Sequence, residues 1–525
     1  MALPSSCCVL VAGSGNAGFS AAVAAKEGGA KHVILIDKAP ENWAGGNTYF
    51  TAGAYRTVHH GADDLLPLVN NVDEATAKRI DMEPYTERDF ANDMQRVCAG
   101  RSDPALSKVL IQDSNSAIKW LKKQGIRFQL SFNRQAYEVD GRLKFWGGLA
   151  LKTEDGGKGL IADHKSNARR HGVQCYYSTA LERLFTNPQT GAVEAVMVRS
   201  NGKEVMIKTG AVIVAAGGFE SNPRLRAQLL GPSWDLAKVR GTPYNTGDVL
   251  ETVIRDVKAK QAGNWSGCHS VAWDANAPAH AGDQVASNEF TKSGYPLGLM
   301  FNTKGERFVD EGIDLRNYTY AKFGRAILQQ PNQSAFQIWD QRTIPWLRSE
   351  EYRPERVRQM MANSIPELAE KLAGVGLENQ QAFIDNIYQY NQAVYAFQKE
   401  NPNKKWDPSI RDGNSTQSRA MKLPLGKTNW ALPVDKGPFM AVHVTCGITF
   451  TFGGIAVNPQ TAGVISSITD KEIGNLFCCG EMMGGLFFEN YPGGSGLTSG
   501  TVFGRRAGAA AAKAVSQSGQ VQSRL

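Results

Sequence analysis

Near its N-terminus the chain reads Cys8-Val9-Leu10-Val11-Ala12-Gly13-Ser14-Gly15-Asn16-Ala17-Gly18. The apolar run from Cys8 to Ala12 is what a buried parallel strand requires. The G-x-G-x-x-G after it leads into an alanine-rich stretch from Phe19 to Gly28, predicted as a helix stopped by Gly28-Gly29. His32-Val33-Ile34-Leu35-Ile36-Asp37 reads as a second buried strand. Strand, glycine turn, helix and strand make a βαβ opening, and the acid stands close to the expected offset of about 20 residues. Gly13 permits the tight turn, Gly15 lets backbone amides approach a pyrophosphate, and Gly18 lets the helix pack on the strand. The helix start, with Ser14 and Ala17 beside it, offers N–H groups and a positive dipole end to phosphates. Asp37 is placed to accept hydrogen bonds from an adenosine ribose, with Lys38 directly after it.

This motif alone does not separate FAD from NAD. A second polar loop follows, Gly45-Gly46-Asn47-Thr48 and then Thr51-Ala52-Gly53. Its amides and hydroxyls suit further phosphate and a flavin ring, which a simple NAD dehydrogenase does not need. Val212-Ile213-Val214-Ala215-Ala216-Gly217-Gly218 reads as a strand ending in small residues, with room for something bulky alongside. Asn245-Thr246-Gly247-Asp248 opens a helix, with Thr246 or Asn245 as its expected cap. Cys478-Cys479-Gly480-Glu481 precedes the densest glycine cluster, Tyr491-Pro492-Gly493-Gly494-Ser495-Gly496-Leu497-Thr498-Ser499-Gly500. A final alanine-rich helix, expected over 497–515, starts on that loop. Its N-terminus is a second place for an anion, or for a flavin carbonyl that gains charge on reduction.

Composition bounds the rest. The 54 glycines among 525 residues are clustered rather than periodic, which excludes a collagen-like chain. Hydrophobic residues at 42% and charged residues at 21% fit a soluble globular protein of about three units. The net charge of +8 has no basic block behind it, only pairs such as Lys122-Lys123 and Arg169-Arg170. Nucleic-acid binding is therefore not expected, and an electropositive cleft for a small anion is. The eight cysteines show no C-x-x-C, haem, iron–sulfur or zinc spacing, so no metal site is expected. No apolar run reaches 18 residues, and no transmembrane segment or signal peptide is expected. The terminal Ser523-Arg524-Leu525 is a variant of the S-K-L address, which points to the peroxisome in a eukaryote and otherwise leaves a cytoplasmic setting.

Residues 57–130 read as mostly helical. Strands are expected over 174–178, 192–199, 204–208 and 211–215. From about 265 to 445 tryptophan, tyrosine and proline become more frequent, with a helical stretch near 355–400. That shift reads as an inserted domain, giving segments 1–265, 266–448 and 449–525. The fold class is α/β: a Rossmann-like FAD-binding domain with an inserted α+β clamp domain.

The order of motifs now carries a resemblance. It runs G-S-G-N-A-G, G-G-N-T-Y-F-T-A-G, A-A-G-G-F, G-T-P-Y-N-T-G-D, F-N-T-K-G-E-R-F-V-D-E, F-G-G-I and C-G-E-M-M-G-G. The chain resembles the fumarate reductase/succinate dehydrogenase flavoprotein superfamily over nearly its whole length. Within it, Arg316 to Lys322 and Asn490 to Leu497 are most similar to the tricarballylate dehydrogenases. The resemblance implies FAD, a clamp domain, and hydride exchange between flavin and a carbon beside an electron-withdrawing group. It implies cofactor contacts from Gly13, Ser14, Gly15, Ala17, Gly18, Asp37, Lys38, Gly45, Gly46, Asn47, Thr48, Thr51, Ala52, Gly53, Ala216, Gly217, Asp248, Glu481, Ser495, Gly496, Leu497 and Thr498.

It also implies that Arg316 exchanges the proton, although an arginine ordinarily titrates above 12 and needs a desolvated cationic site to do so. His269 and Thr449 are implied to position substrate, with Tyr320 and Tyr491 lining its site. Four departures stand out, three from the fumarate reductases and, at the flavin-attachment position, one from succinate dehydrogenase. Thr449 replaces a histidine. A carboxylate-gripping arginine is missing at about Gly496. The proton-path Glu and Arg fall near Thr291 and Gly294. The position of a covalent flavin histidine is about Asn47, so noncovalent FAD is expected.

The substrate is thus expected to be a small di- or tricarboxylic acid that gains or loses a C=C bond. A 3-ketosteroid Δ1-dehydrogenase-like or fumarate-reductase-like enzyme is the alternative, and a flavin-binding partner subunit is the non-enzymatic one. Electrons must leave to an external acceptor: a partner protein, a quinone, a soluble carrier or dioxygen.

Overall fold

The N-terminal apolar run forms β1 (Ser6–Ala12), in which Val9, Leu10 and Val11 are wholly buried. The computed structural model describes residues 2–522, so the Ser523-Arg524-Leu525 tripeptide lies outside the described residues. β1 is followed by α1 (Asn16–Glu27) and β2 (Val33–Ile36), and β1 and β2 pair in parallel from Val9↔Val33 to Ala12↔Ile36. Helix α2 (Gly156–Arg170) leads to β3 (Gln174–Tyr176), which extends the sheet beyond β2 in parallel.

Next come β4 (Thr179–Thr186), β5 (Val193–Ser200) and β6 (Lys203–Val214). They form an antiparallel meander whose last strand turns inward to pair with β1 in parallel. Two departures from the sequence reading occur here. β4 was not expected, because a register shift between Leu181 and Arg183 breaks the two-residue alternation that would reveal it. The strands expected over 204–208 and 211–215 are the single strand β6.

Helix α3 (Asp248–Val257) corrects the expected cap. Gly247 in the left-handed region is the N-cap, without a side-chain cap. The Thr246 hydroxyl instead donates to Asp248, at 2.9 Å. β7 (Gln261–Asp274), β8 (Leu299–Asn302), β9 (Ala335–Trp339) and β10 (Phe439–Ile455) follow, with α4 (Gln380–Glu400) before β10. β11 (Glu472–Cys478) returns to the first sheet in parallel beside β6, and α5 (Ser495–Gln522) ends the described chain.

Two compact units result. The first holds residues up to Gly231, Gly241–Cys268 and Phe450–Leu525; the second holds Pro232–Arg240 and His269–Thr449. Composition placed the second segment at 266–448 and did not assign Pro232–Arg240 to it. Lys238 and Val239 pair there with Gly447 and Ile448, a contact too short to mark the sequence. In the first unit α1 and α5 pack backbone to backbone. A Cβ on Gly504 would lie 2.6 Å from the Ala17 carbonyl oxygen, and one on Gly508 would lie 2.2 Å from that of Ala21. Part of the glycine excess therefore works in helix packing rather than near a ligand.

In the second unit β9 lies antiparallel between β8 and β10. Phe301, Phe336 and Ile338 from these strands pack with Phe383 and Ile387 of α4. The F-N-T-K-G-E-R-F-V-D-E motif supplies a buried ion pair there, Arg307 to Glu311 at 2.5 Å, with Arg307 also donating to the Leu425 carbonyl. Removing either partner would strand a buried charge.

Candidate active site

The glycine turn after β1 is shaped by its own backbone. Gly13 has φ +116°, and a Cβ there would stand 2.2 Å from the Ala215 carbonyl oxygen. A side chain on Gly15, in contrast, would meet nothing nearer than the Thr48 hydroxyl at 3.5 Å. The start of α1 has Gly15 as its N-cap and no side-chain cap. The chain needs Gly13 for itself, and it leaves the ground over Gly15 clear beside helix-start N–H groups. That cradle fits a pyrophosphate.

Asp37 stands at the end of β2 as expected. Its carboxylate accepts from the Ser14 N–H at 2.8 Å, the Ser14 hydroxyl at 2.6 Å and the Ala39 N–H at 2.8 Å. Gly45 N–H donates to the Ser14 hydroxyl oxygen and Asn16 N–H to the Thr48 hydroxyl oxygen, which ties both polar loops together. Lys38 is paired with Asp248 at 2.6 Å and donates to Thr246 at 2.5 Å. The Thr51 hydroxyl donates to the Thr48 carbonyl and accepts from Gly53 N–H, Gly46 begins a 3-10 turn beside Asn47, and Ala52 links Thr51 to Gly53. These side chains shape the loop, leaving mainly backbone to face a ligand.

A buried carboxyl pair was not foreseen. Glu220 is wholly buried and accepts from the amides of Asn47 at 2.5 Å and Asn245 at 2.6 Å. Glu481 accepts from Thr451 through its N–H at 2.8 Å and its hydroxyl at 3.2 Å. The two carboxyl groups flank the same spot: a Cβ on Gly218 would lie 2.1 Å from Glu481 Oε1 and 2.9 Å from Glu220 Oε2. Burial first, and for Glu481 the neighbouring Glu220 charge second, raise both above the ordinary carboxylate range. Burial thus favours the protonated form of each member of the pair. Gly217 and Ala216 lie next to it on the strand-end turn, where Ala216 N–H meets the Met482 sulfur at 3.1 Å.

The C-terminal glycine loop is held from beneath by Arg56. This guanidinium is 1% exposed and donates to the Gly493 carbonyl at 2.9 Å, the Tyr85 hydroxyl at 2.8 Å and Asp93 at 2.9 Å. The Ser495 hydroxyl donates to the Pro492 carbonyl at 2.5 Å and that of Thr498 to the Arg56 carbonyl at 2.6 Å. Those two hydroxyls thus serve the loop itself. Asn16 joins the two glycine loops, donating to the Leu497 carbonyl at 2.8 Å and accepting from the Tyr55 hydroxyl at 2.9 Å. His164 lies 2.9 Å from the same Asn16 oxygen, and burial pulls its pKa down to about 3. Asn16, Arg56, Glu220 and His164 carry no motif of their own. The only sequence hint was a polar residue inside an otherwise apolar or glycine-rich stretch.

The second unit gathers a separate polar cluster. Thr449 accepts from the Arg240 guanidinium at 3.0 Å, and its hydroxyl donates to the Arg240 carbonyl at 3.0 Å. Arg240 also bonds Asn288 and lies over the Trp273 ring at 5.7 Å. His269 is on β7 with Trp273, on the same face by strand alternation. It is 3% exposed and meets the Tyr320 ring edge-on at 6.0 Å. Burial first and the Arg240 charge second hold His269 well below its ordinary pKa, so it is a neutral imidazole. Arg240 was missed because it precedes its motif and belongs to the short Pro232–Arg240 segment.

Arg316 begins a 3-10 turn, and its carbonyl accepts from the Thr319 hydroxyl at 3.2 Å. The same hydroxyl lies 2.7 Å from the hydroxyl of buried Tyr295, whose pKa is raised by burial first and by neighbouring Tyr320 second. Thr291 and Gly294 carry no ionisable group, but a carboxylate reaches the same segment from elsewhere. Glu351 is wholly buried, accepts from Ser293 through its N–H at 3.0 Å and hydroxyl at 2.5 Å, and pairs with Arg348 at 3.1 Å.

Comparison with known proteins agrees with this layout. A model of the FAD binding domain family matches residues 9–497. The chain is similar to fumarate reductase (cytochrome) of Shewanella frigidimarina, 28% identical over 509 residues that span 96% of this chain and 77% of the relative. It is also similar to vinyl phenol reductase of Lactiplantibacillus plantarum, 26% identical over 522 residues and 96% of both chains. Among solved structures, the open conformation of a flavocytochrome c3 fumarate reductase aligns with a TM-score of 0.71 at 24% identity, over 98% of this chain and 79% of that one. At that identity the likeness establishes the fold.

Proposed function

The chain belongs to the FAD binding domain family, within the fumarate reductase/succinate dehydrogenase flavoprotein superfamily, and from that premise we propose how it works on a C=C bond. It is an FAD-dependent oxidoreductase, and the bond it forms or reduces lies next to a carboxylate or comparable electron-withdrawing group. FAD, when bound, supplies the hydride acceptor or donor. The chain supplies the rest. In the reducing direction one carbon receives a hydride and its neighbour a proton, and in the oxidising direction both leave, so two electrons and two protons balance.

The observation that carries the reading is the half-buried Arg240–Thr449 pair, whose charge is felt by the buried His269. A cation beside a neutral imidazole binds a carboxylate or carbonyl and draws electron density from the adjoining C=C bond. That makes the far carbon a better hydride acceptor. Arg316 is assigned the proton exchange, and the buried Glu351–Arg348 pair is assigned its resupply. The tricarballylate type is the finer assignment, supported by the Arg316–Lys322 and Asn490–Leu497 stretches. FAD is held without a covalent bond, because Asn47 stands where an attaching histidine would be and its amide is engaged with Glu220. Acid precipitation should release all of the flavin into the supernatant.

Anaerobic redox exchange tests the reading. Reduced enzyme is mixed with fumarate, cis-aconitate, 4-vinylphenol and cinnamate, and oxidised enzyme with succinate and tricarballylate. At least one compound should recolour or bleach the flavin within the mixing time of seconds. Silence across both arms would overturn the reading. Arg240→Ala should lower kcat/KM by about 100-fold while keeping FAD. Glu351→Gln should lower kcat more than it raises KM.

A further inference from the structure

The Glu220–Glu481 carboxyl pair of the first unit has no part in the chemistry above. Glu220 follows β6 and Glu481 follows β11, and these strands run parallel to each other and, through β6, to β1. The pair therefore stands at the same strand ends as the Gly13–Gly15 turn, where an open parallel sheet receives its ligand. Asn47, which bonds Glu220, belongs to the second polar loop, and its neighbour Thr48 accepts from the Asn16 N–H at the start of α1. The carboxyls thus border the flavin cradle.

The two oxygens of Glu220 are unequal. Oε1 accepts both amides, from Asn47 at 2.5 Å and from Asn245 at 2.6 Å, whereas buried Oε2 has no hydrogen-bond partner among the described residues. Oε2 is also the oxygen on the side of Glu481. A Cβ on Gly218 would lie 2.9 Å from it, 2.1 Å from Glu481 Oε1 and 2.2 Å from the Thr451 hydroxyl. Oε2 and Glu481 Oε1 are thus no farther apart than the first two distances together. Gly218 has no left-handed φ, so it is the room taken up by these polar groups that calls for glycine there.

The charge balance around the pair is one-sided. The titratable group that faces each carboxyl is the other carboxyl, and among the described residues neither forms an ion pair. Asn47, Asn245 and Thr451 bond the pair but do not titrate. Buried Arg226 donates to the main-chain carbonyl of Glu220 at 2.8 Å. A bare carboxylate oxygen in such a place is costly, and a proton on it removes that cost.

We propose that Glu220 and Glu481 act as a proton store for the flavin, taking up one proton from bulk water as two electrons enter bound FAD and releasing it as they leave. This rests on the reading of the protein as an FAD-dependent oxidoreductase, whatever its substrate. Two electrons and one proton delivered to bound FAD leave one negative charge in the cradle. The O–H bond formed on a carboxylate of the pair offsets that charge, and it breaks again when the electrons depart. Neither carboxyl needs to touch the reacting carbons.

Dye-equilibrated potentiometry of the FAD-loaded protein tests the store. Burial raises Glu220 to about 7, so the store fills and empties above that pH and stays full below it in both redox states. Above it, the wild-type midpoint should fall with pH more steeply than that of the double variant Glu220→Gln/Glu481→Gln, by one extra proton per two electrons. That is a tenfold change in the redox equilibrium per pH unit, or about 30 mV for a two-electron couple. Below it the two lines should run parallel. Equal slopes throughout, with flavin bound, would overturn the store while leaving the oxidoreductase reading standing. A second measurement needs no variant. Reduced-minus-oxidised infrared difference spectra of the wild-type holoenzyme, taken just above that pH, should gain a protonated-carboxyl band that shifts in deuterium oxide. Absence of the band would equally overturn the store. A chain that binds no FAD would count against both readings.

Discussion

Two glycine loops feed two helix starts in the first unit, and they are built on different principles. In the loop before α1 the backbone sets the shape, with Gly13 forced against Ala215 and Gly15 left clear. In the loop before α5 the shape is imposed from outside. Buried Arg56 grips Gly493, and the Ser495 and Thr498 hydroxyls close onto carbonyls. Both loops leave one glycine, Gly15 or Gly496, that nothing in the chain itself demands. The first loop is suited to one invariant ligand fragment, a pyrophosphate. The second is fixed by side chains brought to it from elsewhere in the chain.

The comparison breaks most easily at Arg56. Arg56→Met removes the buried cation that Asp93 and Tyr85 share, leaving Asp93 with the more exposed Arg96 at 3.4 Å, and should destabilise the first unit by about 3 kcal/mol. Calorimetry with bound flavin should show the lowered transition, and a midpoint equal to wild type would mean that the loop does not depend on this clamp. Gly13→Ala should come next, at about 2 kcal/mol or more, since both its φ and the Ala215 contact oppose a side chain. Purified protein should carry little FAD. Full flavin content would show that the turn can relax.

A smaller effect is expected at the carboxyl pair. Burial raises Glu220 and Glu481, so the folded protein holds their protons more tightly than the unfolded chain does. Their contribution is complete below the ordinary carboxylate range and is lost as pH rises through the raised values. Glu481→Gln should flatten the fall in thermal midpoint toward alkaline pH, by about 1 kcal/mol for each pH unit removed from the slope. A slope that persists would assign it to other groups. The smallest change is expected for Gly496→Ala. Folding stability should stay within about 0.5 kcal/mol of wild type, because the new methyl meets only ordinary contact. Ligand or flavin affinity should fall instead. A large loss of stability would show that Gly496 serves the fold.

How much of this was legible in sequence depended on locality. The βαβ opening could be read because strand, turn and helix each announce themselves within a few residues, and β1, α1 and β2 lie within residues 6–36. β4 was hidden by a bulge, and Pro232–Arg240 was too short to show that it joins the second unit. Arg240 went unnoticed for the same reason, although it provides a cation beside Thr449 and His269. Glycine count was read as closeness to a ligand. Gly504 and Gly508 show that α5 uses the same residue for closeness to another helix.

The sequence by itself determined that a dinucleotide-type cradle opens the chain and that glycine loops recur late in it, because backbone freedom and strand periodicity are local properties. Only the tertiary structure decided which side chains meet. Glu220 and Glu481 are 261 residues apart in the chain yet their carboxyl groups lie beside the same glycine, Gly218, and Arg56 and Gly493 share a hydrogen bond across 437 residues. Such pairings depend on which strands and loops are neighbours, and the energy of a buried charge or hydrogen bond exists only once its partner has arrived.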